Sequence, residues 1–317
     1  MAAGGGRWER VFYTGSMRVE YREEPCRSAL NRVRGMPFEW SLNPYMGCAH
    51  RCTFCYVRGF ELRAERPSDD RYGRSIRVKT NIADILAREV ARPSWRGEGI
   101  AIGAATDPYQ PVEGRYRLTR ACLVVLTRAA NPFSLITRGP MIVRDLDVLR
   151  EAASRAQVSV TFSVPTLDEE VWRTTEPGTA PPRQRLRALK ELVDAGVSAS
   201  VGMAPILPGL SDRPEQLAEV VKAAREAGAT GVWANLLYLK PGTREHFLDA
   251  LARDWPEQLA DYELLYERTA YLPAVATQPV RSLVRDLVKE HGVRDRRTRV
   301  LEPPPEPQQP EQLRLVV

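Results

Sequence analysis

The sequence predicts an α/β protein built around one parallel sheet. Between about residues 38 and 239, short apolar segments alternate with amphipathic segments of helical period. That is the pattern of right-handed βαβ units. The 317 residues, 43% of them hydrophobic, suit one α/β barrel with terminal additions better than two domains, since such a barrel takes roughly 200 to 250 residues. Three cysteines, Cys48, Cys52 and Cys55, lie just after the first strand. Strand ends are where parallel α/β folds gather reactive groups.

Residues 1–36 are polar, mixed in charge and without a strong period, and read as an irregular N-terminal arm. Phe38 to Asn43 form a short apolar strand running into Pro44 and the cysteine loop. Residues 61–73 are charged and carry Pro67, Ser68 and Gly73, which mark an exposed loop. A helix capped by Thr80 or Asn81 then places Ile82, Ile85, Leu86 and Val90 at helical spacing. GIAIGAAT (99–106) is a strand and LTRACLVVLTRAA (118–130) a helix. FSLITRG and VRDLDVLREAASR repeat the unit. VSVTFSV (158–164) is the next strand, followed by the helix RQRLRALKELVDAG, whose Gly196 suits a left-handed end. VSASVGMAPIL, PEQLAEVVKAAREAG and GVWANLLYL (231–239) follow as strand, helix and strand. These make six strands, fewer than the eight of a closed barrel. Beyond Tyr238 the pattern is helical, in PEQLADYELLYERTAYL and VRSLVRDLVKEHG, and EPPPEPQQPEQ is proline-rich. The expected boundaries are an arm over 1–36, a core over 37–240, a helical extension over 241–300 and a disordered tail over 301–317.

The cysteines form CxxxCxxC with Phe54 directly before the last. So short a loop can set three thiolates around one small inorganic cluster. A 4Fe-4S cubane needs four protein ligands for full ligation, so three cysteines leave one iron open. An open metal position can chelate amino and carboxylate groups. The competing reading is zinc held by the three cysteines and His50. His50 stands only two residues from Cys48 and from Cys52, which strains a tetrahedral set, and zinc ligands usually come as two separated pairs. A disulfide framework is disfavoured by the odd count of five cysteines and by an N-terminus, MAAGGGRWER, without the apolar stretch of a signal peptide. With no run of ~18 apolar residues to span a membrane, a cytoplasmic setting is expected. The net charge of +6 and pI near 9.2 permit a polyanionic partner.

CxxxCxxC with an aromatic before the third cysteine, at the start of an alternating β/α chain, resembles the radical S-adenosylmethionine (radical SAM) superfamily. The resemblance implies an incomplete (β/α)6 radical SAM barrel with helical C-terminal additions, whose open side admits a large substrate. It implies a 4Fe-4S cluster on Cys48, Cys52 and Cys55, with SAM on the open iron cleaved to a 5′-deoxyadenosyl radical that abstracts hydrogen. It also implies a one-electron reductant such as flavodoxin or ferredoxin. NPYMGCAHRCTFCY, IRVKTN, ATDPYQPVE, TEPGTAPPRQRLRALKELVDAG and VGMAPILPGLSD, between about residues 28 and 240, are similar to the DNA-repair-photolyase-like branch that includes spore photoproduct lyase. By this similarity Thr106 and Asp107 hold the SAM amino group, Ser163 its ribose, and Arg138 its carboxylate where the lyase carries lysine.

Read from the residues alone, Asp107 before Pro108 also fits a turn, and Ser163 a buried hydroxyl. Glu176 and Arg185, on the EPGT and RL positions of the branch, fit a buried ion pair as well as a catalytic role. One position departs from the branch. The cysteine that returns hydrogen to the product radical, just before the threonine–aspartate pair, is replaced here by Ala104 and Ala105, which argues against thymine-dimer lyase activity. The branch implies a nucleic acid or nucleotide as substrate. The alternatives are the same chemistry on a peptide or small metabolite, and a zinc-containing binding module without catalysis.

Overall fold

A computed structural model describes residues 8–14 and 17–296. Its first elements are the strands β1 (Trp8–Thr14), β2 (Met17–Glu24) and β3 (Leu30–Arg32), which corrects the irregular arm expected over 1–36. In β2, Val19 and Tyr21 alternate with charged residues and are 1% and 4% exposed. This period of two is too short to stand out among so many charges, and the strand is stabilised by a neighbour that lies far along the chain.

Next come β4 (Trp40–Leu42), β5 (Tyr45–Met46), α1 (Arg58–Arg63), β6 (Ser75–Lys79) and α2 (Ile82–Val90). The repeating units are β7 (Ile100–Ile102), α3 (Glu113–Tyr116), α4 (Leu118–Arg128), β8 (Phe133–Thr137), α5 (Leu146–Arg155), β9 (Val158–Ser163), α6 (Glu169–Thr175), α7 (Pro182–Asp194), β10 (Ser198–Ile206), α8 (Pro214–Glu226) and β11 (Val232–Leu236). The helices α9 (Arg244–Asp254), α10 (Leu259–Leu265) and α11 (Ala274–Glu290) end the described chain.

Two sheets result. The smaller runs β1-β2-β6-β5, with β2 parallel to β6, so β6 is the distant partner that makes β2 a strand. The larger runs β11-β10-β9-β8-β7-β4-β3. From β4 to β11 every neighbouring pair is parallel, and β3 adds one antiparallel strand at the edge. Since β3 and β11 are both edges, the barrel stays open, as six parallel strands require.

One face of the strands is fully buried under the helices, and the other is in large part half-buried. Ile100, Ile102, Leu135, Val160 and Val201 are at most 1% exposed and pack against Leu86, Leu123, Leu149 and Leu189 of the surrounding helices. Two local expectations differ. Asn81 does precede α2, but its side chain accepts from Cys26 N at 2.7 Å and donates to Cys26 O at 3.1 Å instead of capping the helix. Residues 61–73 are not wholly an exposed loop, because Tyr72 is 3% exposed and turns inward. Among the described residues no helix is long and apolar enough to cross a membrane. The tail expected over 301–317 lies outside the described residues.

Candidate active site

Parallel register brings the C-terminal ends of the strands to one rim. Leu42 pairs with Ile102, Ile102 with Leu135, Thr137 with Phe162, and Ser163 with Gly202. The segments just beyond carry Asn43, then Gly103 to Asp107, then Arg138, then Ser163. The cysteine loop leaves the first strand on this same rim.

That loop is held from outside. Gly47 O accepts from Thr106 Oγ1 at 2.7 Å and from Gln110 Nε2 at 3.0 Å, and Ala49 N donates to Gln110 Oε1 at 2.9 Å. Thr53 N donates to Thr175 O at 2.9 Å and Thr243 Oγ1 to Cys55 O at 3.1 Å. Gly178 N donates to His50 O at 3.0 Å. Gly178 has to be glycine: a Cβ there would lie 2.4 Å from Ala49 O and 2.8 Å from His50 Cα. The chain turns between Cys48 and Cys52 at Arg51, with a φ of 55°, a region few residues other than glycine adopt.

Asp107 is 8% exposed and saturated with partners. Its Oδ1 accepts from Thr137 Oγ1 at 2.6 Å and Tyr109 N at 2.8 Å, and its Oδ2 accepts from Arg138 N at 2.7 Å and lies 3.3 Å from His50 Nδ1. Burial alone would raise its pKa, but His50, Thr137 and the Arg138 amide bring it down to about 2. For His50, burial alone would lower the pKa, but Cys48 and Asp107 push it up to about 10. His50 Nδ1 thus faces Asp107, and the imidazole lies under the influence of Cys48. Thr106 Oγ1 is likewise used, donating to Gly47 O and accepting from Gln110 Nε2 at 2.8 Å.

Arg138 and Ser163 stand differently. Arg138 Nη2 donates to Ala204 O at 3.2 Å, and its guanidinium lies 5.6 Å from the centre of the Phe54 ring. Its Nε is 3.3 Å from Glu176 Oε2, an ion pair without the alignment of a hydrogen bond. Glu176 also meets Arg185 at 2.5 Å, and Arg185 Nη1 donates to Ser163 O at 2.8 Å. Glu176 and Arg185 are therefore a buried ion pair that steadies the end of β9, one of the two roles their positions allowed.

Two adjoining cavities open on the rim. The smaller, ≈ 80 Å³, is lined by Cys48, Cys52 and Cys55 together with His50, Thr106, Asp107 and Arg138. The larger, ≈ 250 Å³, is lined by Phe54, Arg138, Ser163, Trp233, Asn235 and Tyr238 among others. Cys52, Cys55, Tyr56, Gly103, Ala104, Ile136 and Arg138 belong to both walls. All seven residues singled out from the sequence reach these cavities, and Ser163 alone faces only the larger.

Three thiols on one short loop suit an iron–sulfur cluster, in which each thiolate would hold its own iron. Burial pushes the Cys52 and Cys55 thiols up, a cost that cationic iron offsets on binding. Of the remaining cysteines, Cys122 is fully buried in the core on α4 and Cys26 is half-buried beside Asn81.

Sequence reasoning places Gln110 at the end of the second strand without assigning it a role, and does not find Tyr72 or Arg58 as parts of this site. Gln110 lay within the quoted TDPYQP segment and was open to discovery. Tyr72 and Arg58 carried no local signal.

A six-stranded open α/β barrel carries a three-thiol loop on one rim, an arrangement suited to holding a metal cluster. Residues 42–221 match the model of the Radical SAM superfamily, and the chain belongs to that superfamily. It is a radical SAM enzyme. An uncharacterized protein of Mycobacterium tuberculosis is 38% identical over 277 residues, 86% of this chain and 81% of that one. A spore photoproduct lyase structure superposes with a TM-score of 0.65 at 14% identity, covering 86% of this chain and 79% of the lyase. The lyase with bound AdoMet and dinucleoside spore photoproduct gives 0.63 over the same shares. A radical SAM Nα-GlyT isomerase of Pseudomonas phage M6 is 26% identical over 170 residues, 53% of this chain and 33% of its own length.

Proposed function

We propose that this enzyme reductively cleaves SAM and directs the resulting hydrogen abstraction to a nucleic acid or nucleotide. The observation that carries the reading is the shared wall: three thiols of one loop face a small cavity that opens, past Arg138, onto a larger one. In this reading Cys48, Cys52 and Cys55 hold a 4Fe-4S cluster. Such a cluster supplies the electron that splits the sulfonium C–S bond of SAM to methionine and a 5′-deoxyadenosyl radical.

The chain's own residues bind and orient. Arg138, held by Glu176 and Ala204 O, offers a fixed cation to the SAM carboxylate. Ser163, at the end of β9, offers a hydroxyl to the ribose. Thr106 and Asp107 act at the amino end. Because their side chains are taken up by Gly47, Gln110, His50 and Thr137, their larger share is to fix the loop and the Arg138 backbone. For the substrate class, the support is the dinucleoside photoproduct bound by the structurally similar lyase and the net charge of +6.

Anaerobically reconstituted protein should hold about four irons and four sulfides and, with dithionite, release 5′-deoxyadenosine and methionine from SAM. Cys48→Ala, Cys52→Ala and Cys55→Ala should each lose the cluster, while Cys26→Ala keeps it. Arg138→Ala and Ser163→Ala should weaken SAM binding with iron content unchanged. Retardation by DNA or RNA should fall steeply with salt. Iron retained by the three cysteine variants would overturn the site, and no retardation at low salt would overturn a nucleic acid as the substrate.

A further inference from the structure

Tyr72, on the wall of the small cavity, and Arg58 are buried against the cysteine loop. Tyr72 Oη lies 3.5 Å from Cys55 Sγ. Arg58, 2% exposed, sets its guanidinium carbon 4.6 Å from the centre of the Tyr72 ring. Four backbone carbonyls fix that guanidinium: Ser68 O at 2.7 Å, Asp69 O at 2.8 Å, and Arg51 O and Cys52 O at 3.4 Å each. No carboxylate neutralises it among the described residues, so its charge is directed at the tyrosine and the loop.

We propose that Arg58 and Tyr72 form a built electrostatic unit that sets the reduction potential at Cys55, making one-electron uptake easier. The proposal rests on the reading of Cys48, Cys52 and Cys55 as cluster ligands. A cysteine that ligates iron is a thiolate and carries no proton, so across this contact the phenol donates and the sulfur accepts. Hydrogen bonds to ligating sulfur stabilise the more negative, reduced form and raise the potential. A cation over the ring face draws electron density from the phenol and strengthens it as a donor. The step is the uptake of one electron from a low-potential carrier, with the Tyr72 proton staying on oxygen. Tyr72 Oη contacts Cys55 Sγ without being a ligand, so its removal separates tuning from ligation.

The test is a redox titration of reconstituted protein followed by electron paramagnetic resonance. In Tyr72→Phe the iron content should stay at the wild-type level and the midpoint should move negative. At the wild-type midpoint the ratio of reduced to oxidised protein should drop about two- to tenfold, the range that one net hydrogen bond supplies. Tyr262→Phe, which loses a hydroxyl bonded to Pro208 O and not to a sulfur, should leave the midpoint in place. Uniform 3-fluorotyrosine labelling makes the phenol a stronger donor and should move the midpoint positive in wild type but not in Tyr72→Phe. An unchanged midpoint in Tyr72→Phe overturns the tuning, as does loss of iron from a folded Tyr72→Phe, which would make the residue a retainer instead. If Tyr72→Phe does not fold, the absence of a fluorotyrosine shift in the wild type overturns it. Wild-type protein that takes up no iron–sulfur cluster would defeat the site reading itself, and is seen before any variant is compared.

Discussion

Glu176 lies between two arginines at 1% exposure, and that setting decides what its carboxylate can do. Burial alone would raise its pKa, but Arg185 and then Arg138 bring it below its ordinary 4.5. An anion so held is a poor proton shuttle and a good anchor. Glu176→Gln removes the counter-charge from two buried guanidiniums, and breaking a buried pair from one side costs about 3–5 kcal/mol. The expected result in urea unfolding at neutral pH is a midpoint lowered accordingly. The sign with pH follows from the lowered pKa: the stability contributed by Glu176 is present above its unfolded value and is lost as the pH falls through the folded one. The gap between wild type and variant should therefore narrow below about pH 4.5. A gap that stays constant or widens in acid would mean the pair does not stabilise the fold. The sequence left Glu176 open between anchor and catalyst because an EPGT segment shows the residue type but not its neighbours. Only the fold places Arg138 and Arg185 on either side of it.

The cysteine loop was the most legible element, since its ligand spacing is covalent and is written in consecutive residues. What was not legible is what holds it still. Gln110 reaches Gly47 and Ala49 across some sixty positions, and Thr175 and Gly178 reach it from farther still. Side-chain to backbone contacts at such separations leave no period in the sequence. The same blindness hid β2 and β6, whose pairing is long-range, while β7 to β11 were visible because each repeats an apolar strand before an amphipathic helix. Contact at Gly178 gives an element-scale test. In Gly178→Ala the new methyl group would meet backbone at 2.4 Å, so α6 and the cysteine loop must move apart. Reconstituted Gly178→Ala is expected to bind well under half the wild-type iron. Gly99→Ala, where nothing lies within 4 Å, should bind as much as wild type. Equal iron in both variants would show that the loop does not depend on this clamp.

At the scale of the whole molecule, the shared scaffold and the chemistry separate. A TM-score of 0.65 with spore photoproduct lyase at 14% identity gives a common barrel, and function is argued from the site grafted on it. Finishing a thymine-dimer repair requires a hydrogen atom within reach of the product radical, and a thiol serves because its S–H bond is weak. All five cysteines of this chain are accounted for. Cys48, Cys52 and Cys55 face the small cavity, Cys122 is buried in the core on α4, and Cys26 lines neither cavity and is bonded through its backbone to Asn81. Ala104, which lines both cavities and whose carbonyl accepts from Tyr56 Oη, offers no S–H bond on this rim. The protein is therefore expected to give little or no clean turnover of the dinucleotide spore photoproduct to TpT, and any reaction should stop at a radical that is trapped by added reductant. Anaerobic incubation with the synthetic photoproduct, followed by chromatography, separates the outcomes. Conversion that appears in Ala104→Cys or Ala105→Cys but not in the unmodified protein would locate the missing donor on this rim. Multiple-turnover conversion by the unmodified protein would instead mean that a hydroxyl such as that of Tyr56 returns the hydrogen, and that the alanines do not limit the reaction.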